Sequence, residues 1–210
     1  MKKALIALLL LALAGCSTSS TKYSNSFIKP SKPINEMKVL YLEHSFFDPA
    51  TRRPADLSLI AYADIPELLR ERAVKVFRLN KIASEYATLK KQDFGQEQQI
   101  QAIKWSSSDN ASSALLVIEV TNVYWIRGQR TPLTYFITTN ANLFGTNGSS
   151  RIWTGQFENR FMQPPVGHVG FDNESADRLL KMILEQMEKD GIIELAGGKA
   201  LLPKQEKSAN

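Results

Sequence analysis

The sequence predicts a single α/β domain in which a mixed sheet of about five strands carries two main helices on one face. Three observations support this. Residues 115–126 are the strongest strand signal, because apolar residues occupy both faces at their start. A long hairpin pattern follows over 133–161, and apolar residues recur at helical spacing over 176–187. A folded part of roughly 150 to 160 residues suits one domain with a sizeable core.

The N-terminus has the pattern of a bacterial lipoprotein signal peptide. Two lysines precede an apolar run over 4–13, which is too short to span a bilayer as a mature helix. The small residues Ala14 and Gly15 then precede Cys16, the only cysteine in the chain. We expect residues 1–15 to be removed and the Cys16 thiol to carry a diacylglycerol thioether. The alternative is an ordinary signal peptide followed by an incidental cysteine.

Polar segments flank the predicted domain at 37–195. Residues 16–36 are mostly Ser, Thr, Asn, Lys and Pro, which bury too little apolar surface to offset the entropy of ordering. They are predicted to form a flexible lipidated tether. The segment 196–210 contains two glycines, a proline and several lysines, and is predicted to be a disordered tail.

The N-terminal half of the domain is predicted to contain one clear strand and two helices. The apolar run over 37–42 predicts a buried strand. Asp64-Ile65-Pro66-Glu67 has the pattern of a capping box, so a helix is expected to begin there. Residues 74–79 fit a strand as well as a continuing helix, and a strand is favoured. Another helix is predicted around 96–105.

The C-terminal half has clearer periodicity. Alternating apolar residues predict strands over 133–144 and 151–161, joined by a reversal at Asn147-Gly148. A final helix is expected to be capped by Asp172 or Asn173. Its apolar stripe comprises Ala176, Leu179, Leu180, Ile183, Leu184 and Met187.

The residues that usually carry catalysis are scarce. Histidine is the usual general base, and the chain has two, His44 and His168. His44 adjoins Ser45, with Asp48 nearby, but adjacent residues on a strand point to opposite faces and cannot share a proton. Two distant histidines and one cysteine also predict no metal site and no cofactor. The sequence therefore predicts a protein that is not an enzyme.

Charge and loop composition indicate the kind of partner. The net charge of +5 becomes +3 once the two lysines of the signal peptide are removed, and no aromatic-basic motif is present, so nucleic acid is not expected as a partner. The basic residues over 70–81 are interspersed with glutamates and are interpreted as a solvated helix face. A proline-rich loop before the last helix is the predicted partner surface: Gln163, Pro164, Pro165, Val166 and His168.

These features together resemble envelope lipoproteins with a TolB amino-terminal-like fold, including the CsgG type. The resemblance rests on the lipid-attachment site, Ala114-Leu115-Leu116-Val117, Ile152-Trp153-Thr154-Gly155 and the closing helix, and it covers 37–193. It implies an accessory or assembly role, and Ser17 after the lipidated cysteine implies sorting to the outer membrane. The long insertion at 44–62 departs from the pattern, and the hairpin segments of a pore-forming member are missing.

The sequence therefore predicts a noncatalytic interaction module, anchored to the outer membrane and facing the periplasm, that docks on an envelope secretion, transport or assembly machine. The alternative is a periplasmic carrier or enzyme for a lipid or a cell-wall glycan. A deep apolar cavity between helices and sheet would favour that alternative. The expected partners are the membrane, through the lipid, and an unidentified envelope protein, and a homo-oligomer is also compatible.

Replacing Cys16 with alanine tests the anchor. Cys16→Ala should abolish lipid labelling and membrane retention of the mature protein, because the thiol is the attachment atom. Metabolic labelling with a fatty-acid analogue and membrane fractionation measure both effects. A variant that is still lipidated would show that the assignment of Cys16 is wrong.

Overall fold

The computed structural model describes residues 18–43, 65–90, 114–126, 134–145, 150–162 and 172–204. In chain order its elements are β1 (Thr18–Ser26), β2 (Glu36–Glu43), α1 (Ile65–Leu79), β3 (Ala83–Lys90), β4 (Ala114–Ile126), β5 (Thr134–Phe144), β6 (Arg151–Met162), α2 (Asn173–Lys189) and a 3-10 turn at Ala196–Gly198. Neither helix among these residues is long and apolar enough to cross a membrane.

The strands form one mixed sheet in the order β1-β6-β5-β4-β2-β3. β2 runs parallel to both β3 and β4, whereas the other neighbours are antiparallel. The parallel pair β2 and β3 is connected through α1, as parallel strands require a crossover. The predicted α/β class with two helices on one face is confirmed, with six strands rather than about five.

The main core lies between the two helices and the sheet. Alternate residues of the central strands point into it, including Val39, Leu116 and Ile118, all fully buried. The six stripe residues predicted for the last helix are all buried in α2. Asp172 caps this helix, since its Oδ1 accepts a hydrogen bond from the Ser175 amide at 2.8 Å. The predicted cap and stripe are therefore confirmed.

The second face of the sheet is apolar only in part. Leu40, Leu115 and Val117 are buried, but they lie outside the cluster that packs against the helices. On β5 and β6 the same face carries polar side chains such as Asn140 and Gln156, both partly exposed. One face of the sheet is therefore apolar and packs against the helices, whereas the other face is partly polar.

The prediction of a strand over 74–79 is wrong, because α1 continues to Leu79. Leu69, Ala73, Val76 and Phe77 are all buried against the core. Their spacing is that of one helical face, and a strand over 74–79 would have separated Val76 from Phe77. Packing against the core thus determines the secondary structure of 74–79, whose local pattern fits a strand or a helix.

The segments predicted to be a tether and a tail are ordered over much of their length. Residues 18–26 form β1, which pairs with β6 although its side chains are polar, because the edge of β6 supplies backbone hydrogen bonds. At the other end of the chain, Ala200 is buried and Asn80 hydrogen bonds to the backbone of Leu201.

The strand β3 was not predicted from the sequence. The expected cap at Asp64, the helix around 96–105 and the reversal at Asn147-Gly148 lie outside the described residues.

Leu180→Ala tests the packing of α2. Leu180 is fully buried, so removing most of its side chain should leave a cavity and lower the free energy of unfolding by about 2 to 5 kcal/mol. Chemical denaturation followed by circular dichroism measures the loss.

Lys181→Ala is the matched control one residue along the same helix. Lys181 is partly exposed and forms a surface ion pair with Glu185 at 3.4 Å, so its loss should cost less than about 1 kcal/mol. Equally mild effects of the two substitutions would contradict the packing described for α2.

Candidate functional site

The site residues predicted from sequence lie outside the described part of the chain. They are Cys16, His44, Gln163, Pro164, Pro165, Val166 and His168. Among the residues that the structure describes, no group of three or more His, Cys, Asp or Glu side chains could hold a metal ion. The candidate site is therefore built from the surfaces of the sheet.

The pairing of β1 shows at which end of the sheet the described chain begins. The strand begins at Thr18, two residues after Cys16, and pairs antiparallel with β6 from Thr18 opposite Arg160 to Ser26 opposite Trp153. Thr18 therefore lies at the end at which β6 finishes, which we call the anchor end. A nine-residue strand spans about 30 Å. The distal end, where β2 and β6 begin, lies about that far away.

β1 is held by backbone pairing and a few polar contacts. Lys22 forms an ion pair with Glu158 at 2.8 Å, and Gln186 of α2 donates a hydrogen bond to the Ser24 hydroxyl at 2.8 Å. Tyr23, the one aromatic side chain of the strand, is half-exposed. The strand therefore depends on the positions of β6 and α2 rather than on a buried apolar side chain of its own.

Trp153 connects these elements. Its indole Nε1 donates to Asp190 Oδ2 at 2.7 Å, and Gln186 donates to the other oxygen of the same carboxylate at 3.0 Å. Gln186 is also the residue that holds Ser24. A chain of hydrogen bonds thus runs from β6 through the end of α2 to β1.

Gly155 provides the space that Trp153 needs. A Cβ atom at Gly155 would lie 2.7 Å from Trp153 Cη2 and 2.9 Å from the ring of Phe157. Both aromatic rings are fully buried. Trp153 and Gly155 of the segment Ile152-Trp153-Thr154-Gly155 are therefore linked by packing, because the ring occupies the space that a side chain at 155 would need.

The candidate site is the polar surface of β1, β5 and β6 on the side away from the helices, which we call the carboxamide face: Tyr23, Asn140, Asn142, Thr154, Gln156 and Glu158. Tyr23 is half-exposed, the amides and Glu158 are partly exposed, and Thr154 is buried. Neighbours across the two strands are hydrogen bonded. Gln156 Nε2 donates to Asn140 Oδ1 at 3.0 Å, and Thr154 Oγ1 donates to Asn142 Oδ1 at 2.8 Å. These contacts orient the amides along the sheet, so they form an ordered polar surface.

This surface is suited to recognition through hydrogen bonds. An amide side chain has two donor hydrogens and an oxygen acceptor, so the contacts within the face leave further polar atoms for a partner. The sequence contains the pattern that predicts this polar surface. The alternation that places Ala141 and Leu143 inside also places Asn140 and Asn142 on the opposite side of the strand. A search for catalytic residue types does not find these asparagines.

Several large side chains of the described residues are buried between the helices and the sheet. Trp153, Phe157 and Leu180 are fully buried there, and Arg72 of α1 binds Asp177 of α2 through two hydrogen bonds, one of 2.7 Å and one of 2.5 Å.

No protein-family model and no curated protein matches the chain. Among solved structures, a PelC dodecamer from Paraburkholderia phytofirmans is 12% identical, with a TM-score of 0.41 over 72% of this chain and 86% of that chain. Lipoprotein GNA1162 from Neisseria meningitidis is 13% identical, with a TM-score of 0.36 over 73% of this chain and 99% of that chain. The structural neighbours thus include a bacterial lipoprotein.

Gly155→Ala tests the constraint at Trp153. The added methyl group should force the indole or Phe157 to move and lower the free energy of unfolding by about 1 to 3 kcal/mol. Urea unfolding monitored by tryptophan fluorescence measures the change.

Gln156→Ala is the control, because it removes a partly exposed side chain from the carboxamide face at the adjacent position. We expect a loss below about 1 kcal/mol. Wild-type stability of the Gly155→Ala variant would show that the indole does not need this space.

Proposed function

We propose that this protein is a noncatalytic docking module of an envelope secretion, transport or assembly machine. In this proposal Cys16 carries a lipid in the outer membrane, and the domain faces the periplasm. The observation that carries the proposal is the placement of β1, which begins two residues after Cys16 and pairs along β6.

A strand in this position leaves almost no free tether between the lipid and the folded domain. The anchor end would lie against the membrane, and the distal end would lie about 30 Å from it along the strands. An anchor on a flexible tether would let the domain search a wide volume, whereas this arrangement holds the domain beside its membrane. Such placement suits a component that presents a surface to a neighbouring envelope protein.

The carboxamide face is the proposed partner surface among the described residues. Its amides are ordered by the contacts of Gln156 and Thr154 with their neighbours, so little side-chain freedom is lost when a partner binds. The proline-rich loop that includes Gln163 and His168 stays a second predicted surface, and a homo-oligomer also stays a prediction.

Photocrosslinking in cells tests the proposal. A benzophenone amino acid in place of Tyr23 keeps an aromatic ring on the carboxamide face, where it should form a discrete adduct with an envelope protein. The same amino acid in place of Glu71, exposed on α1, should form no such adduct because that residue lies on the helix side. Immunoblotting and mass spectrometry of the adduct identify the partner.

Two outcomes would count against docking through this face. Equal adducts from both positions would show that the contact is not specific to it. A turnover by the purified protein that a single His44→Ala or His168→Ala change eliminates would establish an enzyme, since proton transfer depends on one group and docking on many.

A further inference from the structure

We propose that a groove at the distal end is a docking site for an extended, acidic segment of a partner protein that also carries apolar side chains. The groove encloses about 600 Å³. Its walls come from the connector before β2, the turn after α1 and the C-terminal segment. They include Lys32, Pro33, Leu79, Lys81, Glu194 and Leu201. We call this site the distal groove.

The walls of the distal groove are tied together by backbone hydrogen bonds. The Ile34 amide donates to the carbonyl of Ile192 at 3.0 Å, and the Ala83 amide donates to the carbonyl of Asn35 at 3.0 Å. These bonds join the connector to the C-terminal segment and to the start of β3. The groove is therefore preformed, which lowers the entropic cost of binding a flexible ligand.

One wall already binds an extended backbone. The Asn80 side chain donates through Nδ2 to the Leu201 carbonyl at 2.9 Å, and its Oδ1 accepts from the Leu201 amide at 2.8 Å. Lys199, two residues before Leu201, has extended dihedral angles, φ −139° and ψ 138°. The turn after α1 thus holds an extended part of the chain through its peptide groups, which fixes one wall of the groove.

The floor of the groove leaves two leucines uncovered. Leu79 is 43% exposed and Leu201 is 50% exposed. Both line the groove, so apolar side chains of a bound segment would cover surface that now faces water. A glycan offers no comparable apolar side chains, which favours a protein segment as the occupant.

The charges around the groove specify an acidic segment. Lys32 and Lys81 line it, and Arg78 lines an adjoining pocket of about 210 Å³ that shares Lys81. Within the described residues none of these three cations forms an ion pair, and Glu194 is the acidic residue in the groove lining. Carboxylates of a partner would pair with these side chains, and the contribution would weaken with salt.

The groove also lies away from the proposed bilayer. Thr18, two residues after Cys16 in the sequence, lies at the opposite end of the sheet, about 30 Å along β1 from Ser26. If Cys16 carries the lipid as proposed above, on which this step rests, the headgroups of that membrane are beyond reach of Lys32 and Lys81. A polypeptide is the occupant that satisfies the apolar floor, the cationic rim and this distance together.

Fluorescence anisotropy with the detergent-solubilised full-length protein tests the proposal. The probe is a short labelled peptide in which glutamate alternates with leucine. It should bind saturably, and peptides that alternate glutamate with serine, or lysine with leucine, should bind at least about tenfold more weakly. A combined Lys32→Glu and Lys81→Glu variant should lose about tenfold or more in affinity for the probe.

The matched control combines Lys75→Glu with Lys189→Glu, two exposed lysines outside the groove lining with the same change in net charge. It should bind the probe like the parent, and thermal unfolding confirms that both variants are folded. Equal losses in the two variants would show attraction by net charge and overturn the proposal. So would the absence of saturable probe binding up to about 1 mM, or tighter binding of anionic phospholipid vesicles or a polyuronate than of the probe.

Discussion

The burial of Trp153 is the constraint on which the rest of this fold depends. The indole lies on the helix-facing side of β6, over the Cβ-free backbone of Gly155, and its nitrogen is satisfied by Asp190 at the end of α2. That carboxylate also accepts from Gln186, which in turn holds Ser24 of β1. An unpaired indole nitrogen would be costly in this core, so the positions of sheet, last helix and first strand are linked through one side chain.

The second polar contact in the core fixes how the helices meet. Arg72 and Asp177 bind through two hydrogen bonds, and their side chains are only 10% and 5% exposed. Because removing charges from water is expensive, such a pair adds little net stability, but either partner alone would be strongly unfavourable. The pair therefore favours one register of α1 on α2. Since α1 leads directly into the turn at Asn80 and Lys81, this register also positions one wall of the distal groove.

The protein separates its surfaces by chemistry. One face of the sheet is closed by helices. The carboxamide face presents amides beside the ion pair of Glu158 with Lys22, and the distal groove combines cations with exposed leucines. Recognition surfaces of this kind act through shape, hydrogen bonds and charge, and they do not require a group with a shifted pKa. In the proposed docking role the lipid at the anchor end holds the domain beside the membrane. The carboxamide face and the distal groove are then separate sites for partners of different chemistry. Arg72, buried between the helices, takes part in neither.

Local periodicity in the sequence determined the fold class, the stripe and cap of α2 and the β5–β6 hairpin, because those signals come from residues close together in the chain. The alternation along β5 and β6 also places the polar residues of the carboxamide face on one side of the sheet. Only the tertiary structure decided that 18–26 is a strand, that 74–79 is helical and that the segment after Ala196 is held by Asn80. Polar β1 has no pattern that favours a strand, and its order comes from the edge of β6, more than a hundred residues away. The distal groove likewise joins three separated segments, and no local pattern encodes a contact between parts of the chain that meet only when the core has formed.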